Sequence, residues 1–140
     1  MKVLTLTFAL LLSLVSFSQV GYSYKDVKEF YKMTEKTGKY GSYEESTENK
    51  SISVTYQTSK GVFKMETAYF NGGLDSLCSM NIIVIEEKGA KEAMGRYIDS
   101  KDWVKIDTGV FYSKTQQIIC RMKFGSNGDT FVMTKTYFKE

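Results

Sequence analysis

The stretch from Cys78 to Asp107 constrains the fold most, because it has the pattern of a strand, a helix and a second strand in close succession. Its first part, 82–85, is an unbroken β-branched run, which predicts a strand that is buried on both faces and lies in the centre of a sheet. The segment 103–106 alternates in polarity, which predicts another strand. We therefore expect a central sheet to form against the helix between these strands.

Two amphipathic helices are predicted. The one within this stretch has apolar residues at i, i+3, i+4, i+7 and i+8 and charged residues opposite them. Its apolar stripe consists of Ala90, Ala93, Met94, Tyr97 and Ile98. The earlier helix is expected from Tyr24 to Thr37, since Ser23 begins a capping pattern and Gly38 can end the helix in a left-handed conformation. Its inner stripe consists of Val27, Phe30, Tyr31 and Thr34.

Between the two helices the sequence predicts a hairpin. The polar segment 39–50 has the pattern of a loop with a short edge strand. A two-residue turn at 60–61 would then pair Ile52 with Tyr69. This register gives an apolar face of Ile52, Val54, Tyr56, Phe63, Met65 and Tyr69. The opposite face would contain Ser53, Thr55, Gln57, Lys64 and Glu66.

After the second helix the pattern predicts a four-stranded meander with turns at 108–109, 114–115 and 127–128. The turns would pair Ile106 with Phe111, Phe111 with Ile118 and Phe124 with Phe131. The inner face is expected to contain Val104, Ile106, Phe111, Ile118, Cys120, Met122, Phe124, Phe131, Met133 and Tyr137, with Lys135 as a polar exception. The outer face is expected to contain Trp103, Lys105, Tyr112, Gln117, Arg121, Lys123, Thr134 and Thr136.

These elements predict an α+β fold. We expect a single curved antiparallel sheet of about six to eight strands, with both amphipathic helices packed on one face. The order α-β-β-β followed by α-β-β-β-β also suggests two related halves, and hence an internal duplication.

The first 18 residues have the features of an export signal. Lys2 is followed by an apolar run and by small residues, so we expect cleavage after Ser18 and a single domain over 19–140. An uncleaved anchor is the alternative, but the run is shorter than the roughly 20 residues that span a bilayer. The expected location is secreted or periplasmic, with no stable membrane anchor after cleavage.

Several classes of function are disfavoured. The chain has no histidine, which removes the usual nucleophilic triads and histidine-ligated zinc. The formal charge is only +3 and no basic stripe occurs, so no nucleic-acid partner is expected. Glu86 and Glu87 would point to opposite faces of a strand. We therefore expect no enzyme activity, no cofactor and no metal.

Cys78 and Cys120 are the two cysteines of the chain. A disulfide between them is chemically allowed in an exported protein. Alternatively, both are buried thiols that pack as small hydrophobic side chains, since Cys120 shares its strand face with apolar residues. The sequence leaves both interpretations open.

The exposed face of the sheet is the candidate binding surface. Trp103, Tyr112, Arg121 and Lys123 are the side chains expected there, and aromatic and Arg residues are enriched at interface hot spots. Trp103 could instead fill the junction of helix and sheet, and the cations could be ordinary solvated charges. The leading hypothesis is an exported, non-enzymatic protein that binds an unknown protein partner through this face or the loops at its rim.

The alternative function is the transport of a small hydrophobic ligand held between helices and sheet. It is suggested by ten Tyr, nine Phe and seven Met in a short chain. Specific pockets also contain a few convergent polar groups. The sequence does not identify these groups.

Overall fold

The computed structural model describes residues 19–73, 75–90 and 102–137. In chain order its elements are α1 (Tyr24–Thr37), β1 (Lys39–Ser46), β2 (Ser51–Gln57), β3 (Phe63–Tyr69), β4 (Met80–Glu86), β5 (Trp103–Asp107), β6 (Val110–Ser113), β7 (Ile118–Phe124) and β8 (Thr130–Tyr137). The second predicted helix falls mostly on 91–101, outside the described residues.

All eight strands form one antiparallel sheet in the order β1-β2-β3-β4-β8-β7-β6-β5. The single antiparallel sheet of the predicted α+β fold is thereby confirmed. The strands β1 to β4 form one meander and β5 to β8 another, and β4 and β8 join them at the centre. On each side of this central pair the strands follow in reverse chain order to the edge of the sheet. The internal duplication stays a prediction.

Helix α1 has the predicted bounds because its ends are specified locally. The Ser23 side chain accepts a hydrogen bond from the Asp26 N–H at 3.2 Å, which caps the first turn. The prediction for Gly38 is wrong, since its φ of −76° is extended and not left-handed. A Cβ on Gly38 would lie 2.7 Å from the Cβ of Tyr56, so this glycine is needed for close approach to β2.

The edge strand β1 is longer than expected. The segment predicted as a loop with a short strand pairs with β2 along Lys39–Ser46, with an irregularity between Lys39 and Ser42. Gly41 lies against the helix there, and a Cβ on it would come within 2.0 Å of the Glu35 carbonyl oxygen. This contact places the edge of the sheet directly beside α1.

The register predicted for the β2–β3 hairpin is wrong by one residue. Ile52 pairs with Ala68 and not with Tyr69. The loop is longer than two residues, because the Val62 N–H donates to the Thr58 Oγ1 at 3.2 Å and the Thr58 N–H donates to the Val62 carbonyl at 2.8 Å. The shift exchanges the faces of β3, so Phe63, Met65 and Tyr69 lie on the face predicted to be polar, and Lys64 and Glu66 lie on the other.

The second meander differs from the predicted one mainly at β5. Phe124 pairs with Phe131 as predicted, whereas Phe111 pairs with Cys120, two residues from the predicted partner but on the same face. An irregularity between Lys105 and Asp107 changes the β5 register by one residue. Trp103 therefore lies on the inner face, and Val104 and Ile106 are exposed.

The apolar core lies on the face that carries α1, which we call the inner face. One cluster packs against α1 and contains Val27, Tyr31, Ile52, Val54, Ala68, Phe70 and Cys78. The other contains Ile83, Ile85, Ala90, Cys120, Met122, Phe131 and Met133. Ala90 is the last described residue before the gap, and it is buried as its place in the predicted apolar stripe requires.

Strand β4 is central, as predicted, but it is not buried on both sides. Ile83 and Ile85 are buried on the inner face. Ile82 and Val84 point to the opposite face, which we call the outer face, and they are only half-buried. The continuous apolar run therefore supplies one side of the strand to the core and the other side to an accessible surface.

Candidate functional site

The outer face has an apolar centre, because the registers of β3, β4 and β8 place apolar side chains beside one another. We call a series of residues that pair successively across neighbouring strands a row. Met65 pairs with Val84, which pairs with Val132. Tyr69 pairs with Met80. We define the outer patch as Phe63, Met65, Tyr69, Met80, Ile82, Val84 and Val132.

The outer patch remains accessible in this structure. Phe63 and Met65 are 38% and 39% exposed, although both lie within a strand of the sheet. The other members of the outer patch are half-buried by their neighbours on adjacent strands. Contiguous apolar surface of this kind on a protein marks a binding site more often than scattered exposed side chains do.

The charges around the outer patch have opposite signs at its two ends. Another row of the same face runs Glu44–Ser53–Thr67–Ile82–Thr134–Arg121. Arg121 and its neighbour Lys123 are exposed on β7, and Glu44 is exposed on β1. Within the described part of the chain none of these three forms an ion pair. Their charges are therefore free to meet those of another molecule.

The structure brings together three of the four side chains predicted for the binding surface. Tyr112, Arg121 and Lys123 lie on the outer face, where Tyr112 pairs with Ile119 one row from Arg121. Trp103 does not join them, because it pairs with Ser113, whose side chain is buried on the inner face. The aromatic side chains nearest the centre of the outer face are instead Phe63 and Tyr69, which the predicted β3 register placed on the inner face.

Asp102 fixes the start of β5 and with it the position of Trp103. Its carboxylate accepts hydrogen bonds from the Ser113 hydroxyl and, at 3.0 Å, from the Thr115 N–H. These bonds, led by the one from Ser113, lower the pKa of Asp102. The turn between β6 and β7 is thereby tied to the beginning of β5, so Trp103 begins its strand facing the core.

On the inner face, three buried polar side chains lie between the two apolar clusters. Glu66, Asn81 and Lys135 are 7%, 0% and 1% exposed. The Tyr56 hydroxyl donates to Glu66 at 2.8 Å, and the Asn81 amide donates to the Tyr31 hydroxyl at 3.1 Å. The Asn81 Oδ1 atom is buried and has no hydrogen-bond partner among the described residues.

Lys135 is the polar exception recognised in the sequence, and its burial is confirmed. Its ammonium lies 5.9 Å from the centre of the Trp103 ring, within the range of a cation–π contact. Removal from water lowers the pKa of Lys135, because burial penalises the charged form. The side chain pairs across the sheet with Cys120 on one side and Asn81 on the other.

Both cysteines are free thiols in this structure and are buried in different clusters. Burial raises the pKa of Cys78 and of Cys120 to about 11. Such thiols are poor nucleophiles near neutral pH, because very little thiolate is present. The alternative of a disulfide stays a prediction.

Within 19–73, 75–90 and 102–137, no group of three or more His, Cys, Asp or Glu side chains is arranged to hold a metal ion. The same residues contain no helix long and apolar enough to cross a bilayer. Comparison with known protein families, with characterised proteins and with solved structures finds no match.

Proposed function

We propose that this chain is an exported, non-enzymatic protein that binds another macromolecule through the outer face of its sheet. The observation that carries the proposal is the outer patch, an accessible apolar surface in the middle of a regular sheet with cations at one end. Antiparallel sheets commonly pack one face on the core, and the other face of such a sheet is usually polar. An apolar centre on that second face is stabilised when a partner covers it.

The proposal includes the second amphipathic helix on the inner face beside α1. Support comes from the second apolar cluster, which lies on the inner face and contains Ala90, the first residue of the predicted stripe. With both helices on that side, the outer face stays available. The partner should present an apolar centre and, opposite Arg121, a carboxylate.

Capture with matched bait proteins tests this function. The full chain, as processed by its host, is immobilised beside Met65→Lys and Lys25→Glu, and the retained proteins are identified by mass spectrometry. Lys25 is exposed on α1, on the other side of the sheet. We expect Met65→Lys to lose a stoichiometric partner that the wild type and Lys25→Glu retain. Equal retention by all three baits would exclude the outer face.

A second candidate function is a carrier of a small hydrophobic ligand held between helices and sheet. It is favoured by the buried polar group of Glu66, Asn81 and Lys135, which supplies the convergent polar groups that such a site needs. The unpartnered Asn81 Oδ1 atom would accept a hydrogen bond from the ligand. Native mass spectrometry of gently purified protein should then show a bound small molecule, and repeated ligand-free spectra would contradict this function.

A further inference from the structure

We propose that the partner of the outer face is a second copy of this chain, packed face to face about a twofold axis that runs parallel to the strands between β3 and β4. This inference rests on the proposed function, because it names the occupant of the same surface. It follows from the order of the strands and from the positions of Glu44 and Arg121 on the outer face.

The charges are placed symmetrically about that axis. Glu44 lies on the first strand of the sheet order and Arg121 on the sixth, and both belong to one cross-strand row. The midpoint between the first and sixth strands falls between β3 and β4. Rotation by 180° about a line along the strands at this point places Glu44 opposite the partner's Arg121. Because the contact is twofold, the pair forms twice.

The same rotation brings apolar side chains together at the centre. Met65 on β3 then faces the partner's Val84 on β4, and Tyr69 faces the partner's Met80. Glu86, which is exposed at the end of β4 and pairs with Phe63, faces the partner's Phe63 at the rim of the contact. Packed sheets keep their strands within about 30° of one another and about 10 Å apart, which this arrangement allows.

The alternative twofold arrangement is unfavourable. An axis across the strands, along the row itself, would place Glu44 opposite the partner's Glu44 and Arg121 opposite the partner's Arg121. Like charges opposed in this way repel. The positions of Glu44 and Arg121 therefore favour the axis along the strands over an axis along their row.

The outer face is large enough for a specific dimer. Six strands spaced about 4.8 Å apart and about seven residues long cover a flat footprint of about 24 by 23 Å. The relief of the side chains enlarges this footprint toward the roughly 800 Å² that one partner contributes to a standard interface. The contact therefore uses most of the six strands and leaves β5 and β6 at its margin.

Charge reversal tests the dimer. Sedimentation velocity over a range of concentrations is measured for the full chain as processed by its host, for Glu44→Lys, for Arg121→Glu and for the variant with both changes. We expect the wild type to dimerise, each single reversal to weaken dimerisation at least about 10-fold, and the double reversal to restore it to within about threefold. Lys25→Glu should dimerise like the wild type, and circular dichroism should show all variants folded.

The outcomes separate this inference from the proposed function. A dimer that tolerates both single reversals would overturn the proposed geometry. A wild type that stays monomeric while Met65→Lys loses a captured partner would overturn the second copy as occupant and leave the proposed function intact. A monomer whose capture of proteins is unaffected by Met65→Lys would overturn both.

Discussion

Replacing Glu45 with Gln should loosen the edge strand from α1 in a way that depends on pH. Glu45 lies on the inner side of β1, and its carboxylate lies 2.8 Å from the Lys28 Nζ and accepts a hydrogen bond from the Tyr24 hydroxyl. The bond to Lys28, followed by that to Tyr24, lowers the pKa of Glu45 from 4.5 to about 2. These contacts join the helix to the strand that bears Glu44 on its other side.

The lowered pKa of Glu45 sets an upper limit to the free energy of unfolding that Glu45→Gln can remove. A pKa lowered by about 2.5 units corresponds to roughly 3.4 kcal/mol, but a third of the Glu45 side chain is exposed and solvent screens such pairs. We therefore expect Glu45→Gln to lower the free energy of unfolding by about 1 kcal/mol at pH 7. Because the folded-state pKa is depressed, this contribution is fully present above about pH 4.5 and is lost as the pH falls toward about 2.

Urea unfolding followed by the fluorescence of Trp103, the single tryptophan, measures this difference at pH 7, 4.5 and 3. Glu48→Gln is the matched control, since Glu48 is exposed in the turn directly after β1 and forms no ion pair within the described part of the chain. We expect it to change the free energy of unfolding by less than about 0.5 kcal/mol. A difference between wild type and Glu45→Gln that stays constant from pH 7 to pH 3 would refute the reasoning.

Three further substitutions or measurements test the core. Gly41→Ala should lower the free energy of unfolding by about 3 kcal/mol in urea denaturation, because the new Cβ meets the Glu35 backbone at 2.0 Å; a change below about 0.5 kcal/mol would contradict that contact. Tyr31→Phe should cost about 1 kcal/mol in the same assay, since a buried amide on β4 loses its hydroxyl partner, and an unchanged unfolding midpoint would speak against the bond. Cys78 and Cys120 should react with a thiol reagent at pH 8 only after unfolding in urea; rapid reaction of the native protein would contradict their burial, and no reaction after unfolding without reductant would reveal the disulfide.

The parts of the fold that could be predicted from sequence are specified by neighbouring residues. Helix α1 follows from the cap at Ser23 and the apolar spacing after it, and both signals lie within a few residues of the helix. The pairing of β7 with β8 follows from the Asn-Gly turn, since Phe124 and Phe131 flank it symmetrically. In both cases the local sequence and the final packing favour the same geometry.

The parts that could not be predicted depend on small irregularities. At β2–β3 the apolar and polar residues separate cleanly in the wrong register, whereas the observed register depends on how Thr58 closes the loop to Val62. The observed register buries the charged Glu66 and exposes the apolar Met65. The polarity pattern of the sequence favours the opposite arrangement. At β5 one irregular residue turns Trp103 into the core. The outer patch was therefore missed, because its β3 members were expected on the inner face.

The most direct test of the outer face is peroxide oxidation of the protein in the assembly that it forms natively, followed by peptide mass spectrometry. Met65 reports on the outer patch, and Met33, half-buried on α1, is the internal control. We predict that Met65 is oxidised several-fold more slowly in the assembly than in the isolated, diluted chain, while Met33 reacts at the same rate in both. Equal oxidation of Met65 in the two states would contradict the claim that a partner covers this face.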